Sequence, residues 1–164
     1  MKPPISVTWT VGTDLPTNWK GGAAGVVAER IVYTDGLQSP WRAPRETVLI
    51  DPRAVHMTPH PSRIAPEYLV YCWLPDLPVA PEYTGGLSVQ DALYVLGGRA
   101  KSARRRVFRL TRQDDGPLGP SPGAGKCAGT WTWDEIAPMR NDHLFPTCAA
   151  LGDTILVTGG LQGV

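Results

Sequence analysis

The chain has 164 residues, 16 Lys and Arg against 15 Asp and Glu, 42% hydrophobic and 19% charged positions, the make-up of a near-neutral globular chain about one domain long. No stretch approaches the roughly 18 consecutive apolar residues of a membrane helix, and the start, MKPPISVTWT, lacks the apolar core of a signal peptide, so no membrane is expected and the cytoplasm is the default. The charge balance lacks the positive excess of a nucleic-acid binder, and 18 Gly with 17 Pro point to turn-dense all-β structure.

The first expected element is a strand, SVTWTV (6–11), followed by a Leu15-Pro16 turn and then Lys20. A small-residue strand, GGAAGVV (21–27), leads through a polar pair, Glu29-Arg30, into the β-branched strand RIVYT (30–34) and Asp35-Gly36. ETVLID (46–51) alternates like a half-solvated strand. After a long loop (52–67) comes the Trp-containing YLVYCW (68–73) and a Leu77-Pro78 turn. The series then starts again with GGLSV (85–89), the pair Gln90-Asp91, ALYVL (92–96), Gly97-Gly98 and RVFRL (106–110). A second long loop (114–129) precedes TWTWDEI (130–136) and a Pro138-Met139 turn. TCAAL (147–151), Gly152-Asp153, TILVT (154–158) and Gly159-Gly160 begin a third round.

The rounds share one period. Gly36, Gly98 and Gly160 stand 62 residues apart, and so do Leu15 and Leu77, and Leu77 and Met139. SVQDALYVLGG lies over ALGDTILVTGG without a gap, and VVAERIVYTDG is an earlier copy in which Asp35 replaces the first glycine. Four short antiparallel strands repeated at a fixed period describe β-propeller blades. Small residues suit the crowded inner strand, the closing glycines permit backbone angles that other residues avoid, and the Trp supplies a large contact between blades.

LYVLGG…VFRL…WTWDEIAPM resembles the Kelch repeat, a strand ending in Gly-Gly with a later Trp before a Met-Pro or Leu-Pro turn. More narrowly, the order of motifs is similar to that of bacterial Kelch proteins related to N-acetylneuraminate (sialic acid) mutarotases and epimerases. The expectation is therefore an all-β, Kelch-type partial propeller in one domain (1–164). Residues 6–11 are an orphan fourth strand that closes the ring, 20–73 and 84–136 are whole blades, and 146–164 is half a blade. With propellers built from typically four to eight blades, the chain reads as the N-terminal part of a longer protein. A short chain closing its ring by association, or an open stack, is the alternative.

Loops joining second to third and fourth to first strands share one face of a propeller, where ligands usually bind. Lys20, Arg42, Arg99, Arg140 and His143 are the candidate ligand-binding residues there, with Gln38, Trp41, Arg45, Lys101, Asn141 and Asp142 nearby. Their cationic character suits a carboxylate sugar. The resemblance implies a carbohydrate ligand, and for a mutarotase an isomerase that assists opening and closing of the sugar ring by acid/base chemistry. The family's acid/base residue lies in a later blade, so none is carried over and the catalytic residue stays unknown. A non-catalytic Kelch module binding a protein partner fits the same loops.

Other motifs carry less. His56 and His60 have a helical metal spacing that Pro59 and Pro61 forbid, the segment before Lys126 departs from a phosphate loop at Pro120 and Cys127, and a copper enzyme on this fold would need a Tyr and His set that is not evident. No metal or cofactor is expected. The run Arg104–Arg106 reads as a solvated edge. Cys72, Cys127 and Cys148, odd in number and far apart, read as plain buried or half-buried thiols.

Overall fold

The computed structural model describes residues 6–8, 19–38, 44–51, 71–119 and 125–161. These residues form twelve β-strands and no helix. In chain order the strands are β1 (Trp19–Lys20), β2 (Ala23–Val27), β3 (Arg30–Thr34), β4 (Leu37–Gln38), β5 (Thr47–Ile50) and β6 (Tyr71–Leu74). They continue with β7 (Gly85–Val89), β8 (Ala92–Leu96), β9 (Val107–Arg112), β10 (Trp131–Ile136), β11 (Thr147–Leu151) and β12 (Thr154–Thr158). Two four-stranded antiparallel sheets result, β2-β3-β5-β6 and β7-β8-β9-β10, followed by the two-stranded β11-β12. None of the sheets closes on itself, and the series is compatible with part of a β-propeller.

The strands follow from local chemistry. RIVYT, ALYVL and TILVT, rich in β-branched and aromatic residues, each form a strand over their whole length. The hairpins before them turn on residues with positive φ, Ala28 and Glu29 in the first and Gln90 and Asp91 in the second. The first turn is thus one residue earlier than the Glu29-Arg30 pair read from the sequence, because Arg30 pairs with Val27 inside the ladder. Ser6–Thr8 are exposed and lie in no strand, and no described residue of 21–50 pairs with them, while the rest of the expected closing strand (9–11) lies outside the described residues.

Side-chain alternation gives each sheet two apolar faces, and the sheets stack through them. Ala23, Val27, Val32 and Leu49 of the first sheet are buried with Leu93, Val95, Phe108 and Leu110 of the second. The opposite face of the second sheet, with Leu87, Val89, Leu96 and Val107, packs on Cys148, Ile155 and Val157 of the β11-β12 pair. The inner strands approach closely. A Cβ on Gly86 would clash with the backbone and Cβ of Ala23, and one on Gly25 with the Ser88 hydroxyl and Leu93. The Ser88 hydroxyl instead accepts the Val26 amide, and Asp91 Oδ1 accepts the Ala28 amide at 2.5 Å.

Two expectations are corrected. Arg104–Arg106 is not a sheet edge, because β9 is flanked by β8 and β10. Arg106 donates twice to Glu135 at 2.7 Å, Arg105 Nε donates to the Met139 carbonyl at 3.0 Å, and Arg104 lies 4.0 Å from Asp142. Nor are all three cysteines thiols. Cys72 and Cys127 form a disulfide with a Cα–Cα distance of 4.9 Å, and Cys148 alone is free. Cys72 lies on the outer strand β6, and the end of the second long loop runs beside it. The Trp73 amide donates to the Gly125 carbonyl at 2.9 Å, and the Cys127 amide donates to the Trp73 carbonyl at 2.8 Å. The loop thereby covers backbone groups that an edge strand would leave open.

Closing 55 residues of chain stabilises chiefly by restricting the unfolded state, by roughly 2–4 kcal/mol. Reduction, or the double substitution Cys72→Ala with Cys127→Ala, is expected to lower the denaturation midpoint accordingly. Urea titrations with and without reductant measure this, and the double variant should no longer respond to reductant.

Candidate functional site

The connection from second to third strand docks on the connection from fourth to first in both complete sheets. In the first, the Leu77 amide donates to the Arg45 carbonyl at 2.8 Å and Arg45 Nη1 donates to the Pro78 carbonyl at 3.3 Å. In the second, Met139 and His143 donate to the carbonyls of Arg105 and Arg104 at 2.8 and 2.9 Å, and Gly98 donates to the His143 carbonyl at 3.0 Å. The two connections therefore share a face, as expected from propeller topology.

A second repeated feature lies there. Gly21, Tyr83 and Phe145, spaced 62 apart, all have positive φ, 74°, 52° and 54°. Each follows a residue that pairs with the chain just past the closing glycine: Lys20 with Leu37, Glu82 with Arg99, Leu144 with Leu161. Aromatic residues avoid this backbone region, so packing holds them in it. The Tyr83 and Phe145 rings lie 5.1 Å apart, and a Cβ on Gly21 would collide with the Tyr83 ring. Gly, Tyr and Phe are not one residue type, and two of the three are aromatics that do not ordinarily mark a left-handed position, so only the period could have revealed the series.

Asp35 sits where the later copies have Gly97 and Gly159, with φ of 64° against 62° and 68°. It is fully buried. Its carboxylate accepts the Glu82 amide at 3.3 Å and the Thr84 hydroxyl at 3.4 Å, and Glu82 lies 3.4 Å from Arg99. Burial, only partly opposed by hydrogen bonds from Gly36, Glu82 and Thr84, and with the Glu82 charge adding to it, pushes Asp35 up to about 7. The sequence signal was the replacement of a glycine by an acid in a left-handed position, which Asp tolerates better than most residues.

The sequence-predicted residues are placed as follows. Lys20 and Arg140 are exposed, and neither side chain has a hydrogen bond or ion pair among the described residues. Arg99 is 52% exposed and tied to Glu82. His143 is half-buried, its Nδ1 3.2 Å from the Gly159 carbonyl, and its backbone amide and carbonyl are both engaged. Arg99, Arg104, Arg105 and His143 thus gather around the docked connections of the second sheet, whereas Lys20 belongs to those of the first. Arg42, with Trp41, lies outside the described residues, as do His56 and His60. Among the described residues, no group of three His, Cys, Asp or Glu could hold a metal, and no helix is long and apolar enough to cross a membrane.

A cleft of about 920 Å³, which the sequence did not indicate, opens elsewhere, between the end of β6 and the approach to β10. Trp73, Leu74, Pro75 and Trp131 form its apolar walls, and Glu46, Asp76 and Lys126 add charge. Trp73 is braced by Trp19 and Tyr71 at 6.2 and 6.0 Å, and Trp131 Nε1 donates to the Ala128 carbonyl at 3.2 Å. The disulfide closes one side through Cys127.

Neither a protein-family model nor a curated protein matches the chain. The chemistry of the loop face must therefore be taken from its own residues: two unengaged cations, one cation shared with an acid, and a buried carboxyl that titrates near neutrality.

Because Asp35 holds its proton to about pH 7 when folded and releases it near pH 4 when unfolded, its contribution to stability is fully present below pH 4 and is lost as pH rises to 7. Asp35→Asn is expected to flatten that decline, gaining on the wild type as pH rises. Denaturant titrations between about pH 5 and about pH 8 read it; parallel declines for the two proteins would refute the assignment.

Proposed function

We propose that the chain is a segment of a Kelch-type β-propeller that binds a small carboxylate-bearing carbohydrate, with a sialic acid as the leading ligand, on the face formed by the docked connections. The 62-residue recurrence of those connections, with Lys20, Arg99 and Arg140 exposed along them, is the observation that supports this reading. An exposed guanidinium offers a carboxylate two parallel donors, and the ammonium of Lys20 adds a point charge for the carboxylate or ring hydroxyls. Arg99, already sharing its charge with Glu82, suits a mixed carboxylate and hydroxyl ligand better than a bare anion. If the site acts on the sugar, sialic acid anomers are the substrate class that the Kelch resemblance implies.

A non-catalytic protein-interaction module is the second reading, favoured by the indole-lined cleft beside β6, which would accept an apolar side chain of a partner.

Saturation-transfer NMR with N-acetylneuraminate tests the first reading on the full chain. Transfer to the sugar is expected, with Arg140→Ala and Lys20→Ala each weakening binding by about tenfold, 1.4 kcal/mol. Arg106→Ala, a change on a cation paired with Glu135 across the β9-β10 ladder, should leave binding unchanged. Absence of transfer in the wild type overturns the proposal, and exchange spectroscopy on the same sample reads any acceleration of anomer interconversion.

A further inference from the structure

The disulfide joins the outer strand of the first sheet to the long loop of the second, and its two sulfurs have unequal surroundings. Cys72 is 2% exposed and belongs to the core shared by the two sheets, whereas Cys127 is half-buried and lines the cleft beside β6. A small reagent entering that cleft therefore meets Cys127 first. The segment that carries Cys127 is a short one, Gly125–Cys127, laid along β6 through the parallel pairing of Lys126 with Trp73. Among the described residues, two backbone hydrogen bonds accompany the disulfide there, from the Trp73 amide to the Gly125 carbonyl at 2.9 Å and from the Cys127 amide to the Trp73 carbonyl at 2.8 Å.

On either side of this segment the chain is arranged to let it come away. Gly125 has a φ of 63°, and a glycine leaves that region without a steric barrier. From Ala128 onward the chain is tied to its own sheet by bonds that do not involve sulfur. The Ala128 carbonyl accepts Trp131 Nε1 at 3.2 Å, and Asp114 accepts the amides of Gly116 and Thr130 together with the Arg112 guanidinium at 3.0 Å, which pins the start of β10 to the end of β9. From this arrangement we propose that the Cys72–Cys127 bond is a thiol–disulfide exchange site, entered through the cleft at Cys127, whose reduction by a small dithiol detaches Gly125–Cys127 from β6 while both sheets stay folded.

In the exchange, a thiolate of the dithiol bonds to Cys127 Sγ, the bond between the two cysteine sulfurs breaks, and its electron pair leaves on Cys72 Sγ, which takes up a proton. The second thiolate of the reagent then attacks its own sulfur in the mixed disulfide, closing a cyclic disulfide and releasing Cys127 as a thiol. Two electrons pass from the reagent to the protein. The Trp73 amide and carbonyl lose their cover, and the cleft loses the wall that Lys126 and Cys127 supply, so the cleft exists in full only in the oxidised protein. This inference is independent of the carbohydrate reading. A partner seated in the cleft would be held by the oxidised form, but the test below reads the protein alone, so the two ideas fail separately.

Amide hydrogen exchange of the full chain, read by NMR before and after reduction with dithiothreitol, is the test and needs no variant. In the reduced protein the Trp73 and Cys127 amides are expected to exchange within about tenfold of unprotected rates, while amides of the β3-β5 and β8-β9 ladders stay protected. Unchanged protection at Trp73 and Cys127 overturns the proposal, and so does loss of the ladders as well, since the reduced chain would then unfold and not open locally. The rate of reduction should rise in proportion to dithiothreitol and be insensitive to urea below the unfolding transition; a steep increase with urea would mean that the sulfurs are reached only by unfolding, which also overturns it. With Cys148→Ala present throughout, the Cys127 thiol of Cys72→Ala should react with an aromatic disulfide reagent on the order of 100-fold faster than the Cys72 thiol of Cys127→Ala. Equal rates would remove Cys127 as the point of entry.

Discussion

Close approach of the inner strands is the constraint from which the rest of the structure follows. Gly25 and Gly86 sit where any side chain would strike the neighbouring sheet, so β2 and β7 come together at backbone distance. The larger residues farther out, from Val32 and Leu49 to Phe108 and Leu110, then meet at ordinary packing distance. A substitution that widened the inner contact would open the outer one as well, because both belong to the same pair of twisted sheets. The hydrogen bonds from the Val26 and Ala28 amides to Ser88 and Asp91 fix the stagger of that contact, which apolar packing alone would leave free to slide.

The same stacking brings successive connections side by side. In the first unit a buried acid takes the place of a glycine and reaches across to Glu82 and Thr84 of the next connection. The second unit has Gly97 at this position, and there the crossing contact comes from the backbone of the next residue, Gly98, which donates to the His143 carbonyl. The first junction is therefore the one that carries a proton near neutrality, while the second is insensitive at that position. Differences of this kind decide which part of a repetitive scaffold can hold chemistry.

Much of the fold was legible because the period was. RIVYT, ALYVL and TILVT were found as strands from β-branched composition and from their common distance to the closing glycines, and the Gln90-Asp91 turn from its place between two strands. Polarity favours Glu29-Arg30 as the first turn, whereas the register of the ladder sets the turn at Ala28-Glu29, one residue earlier. The disulfide was not legible, since Cys72 and Cys127 are 55 residues apart and meet because the end of a Pro- and Gly-rich loop, Gly125–Cys127, lies beside a strand of the preceding sheet. Of the site, the exposed cations could be named from topology, but not the engagement of Arg99 with Glu82, which depends on a backbone pairing invisible in side-chain identities. Asp35 was visible as an irregularity of the repeat, and only its burial gave that irregularity a meaning.

The bond between Cys72 and Cys127 also changes the connectivity of the chain. Strands β7, β8 and β9 lie wholly inside the covalent circle that it closes, whereas β10 leaves that circle and returns to pair with β9. A single cut in the backbone between the two cysteines would not release either part: the pieces would stay joined and, held by their own ladders, stay in place. The middle of the molecule is thus protected against the loss of material by cleavage, a protection that lasts only as long as its surroundings keep the sulfur atoms joined.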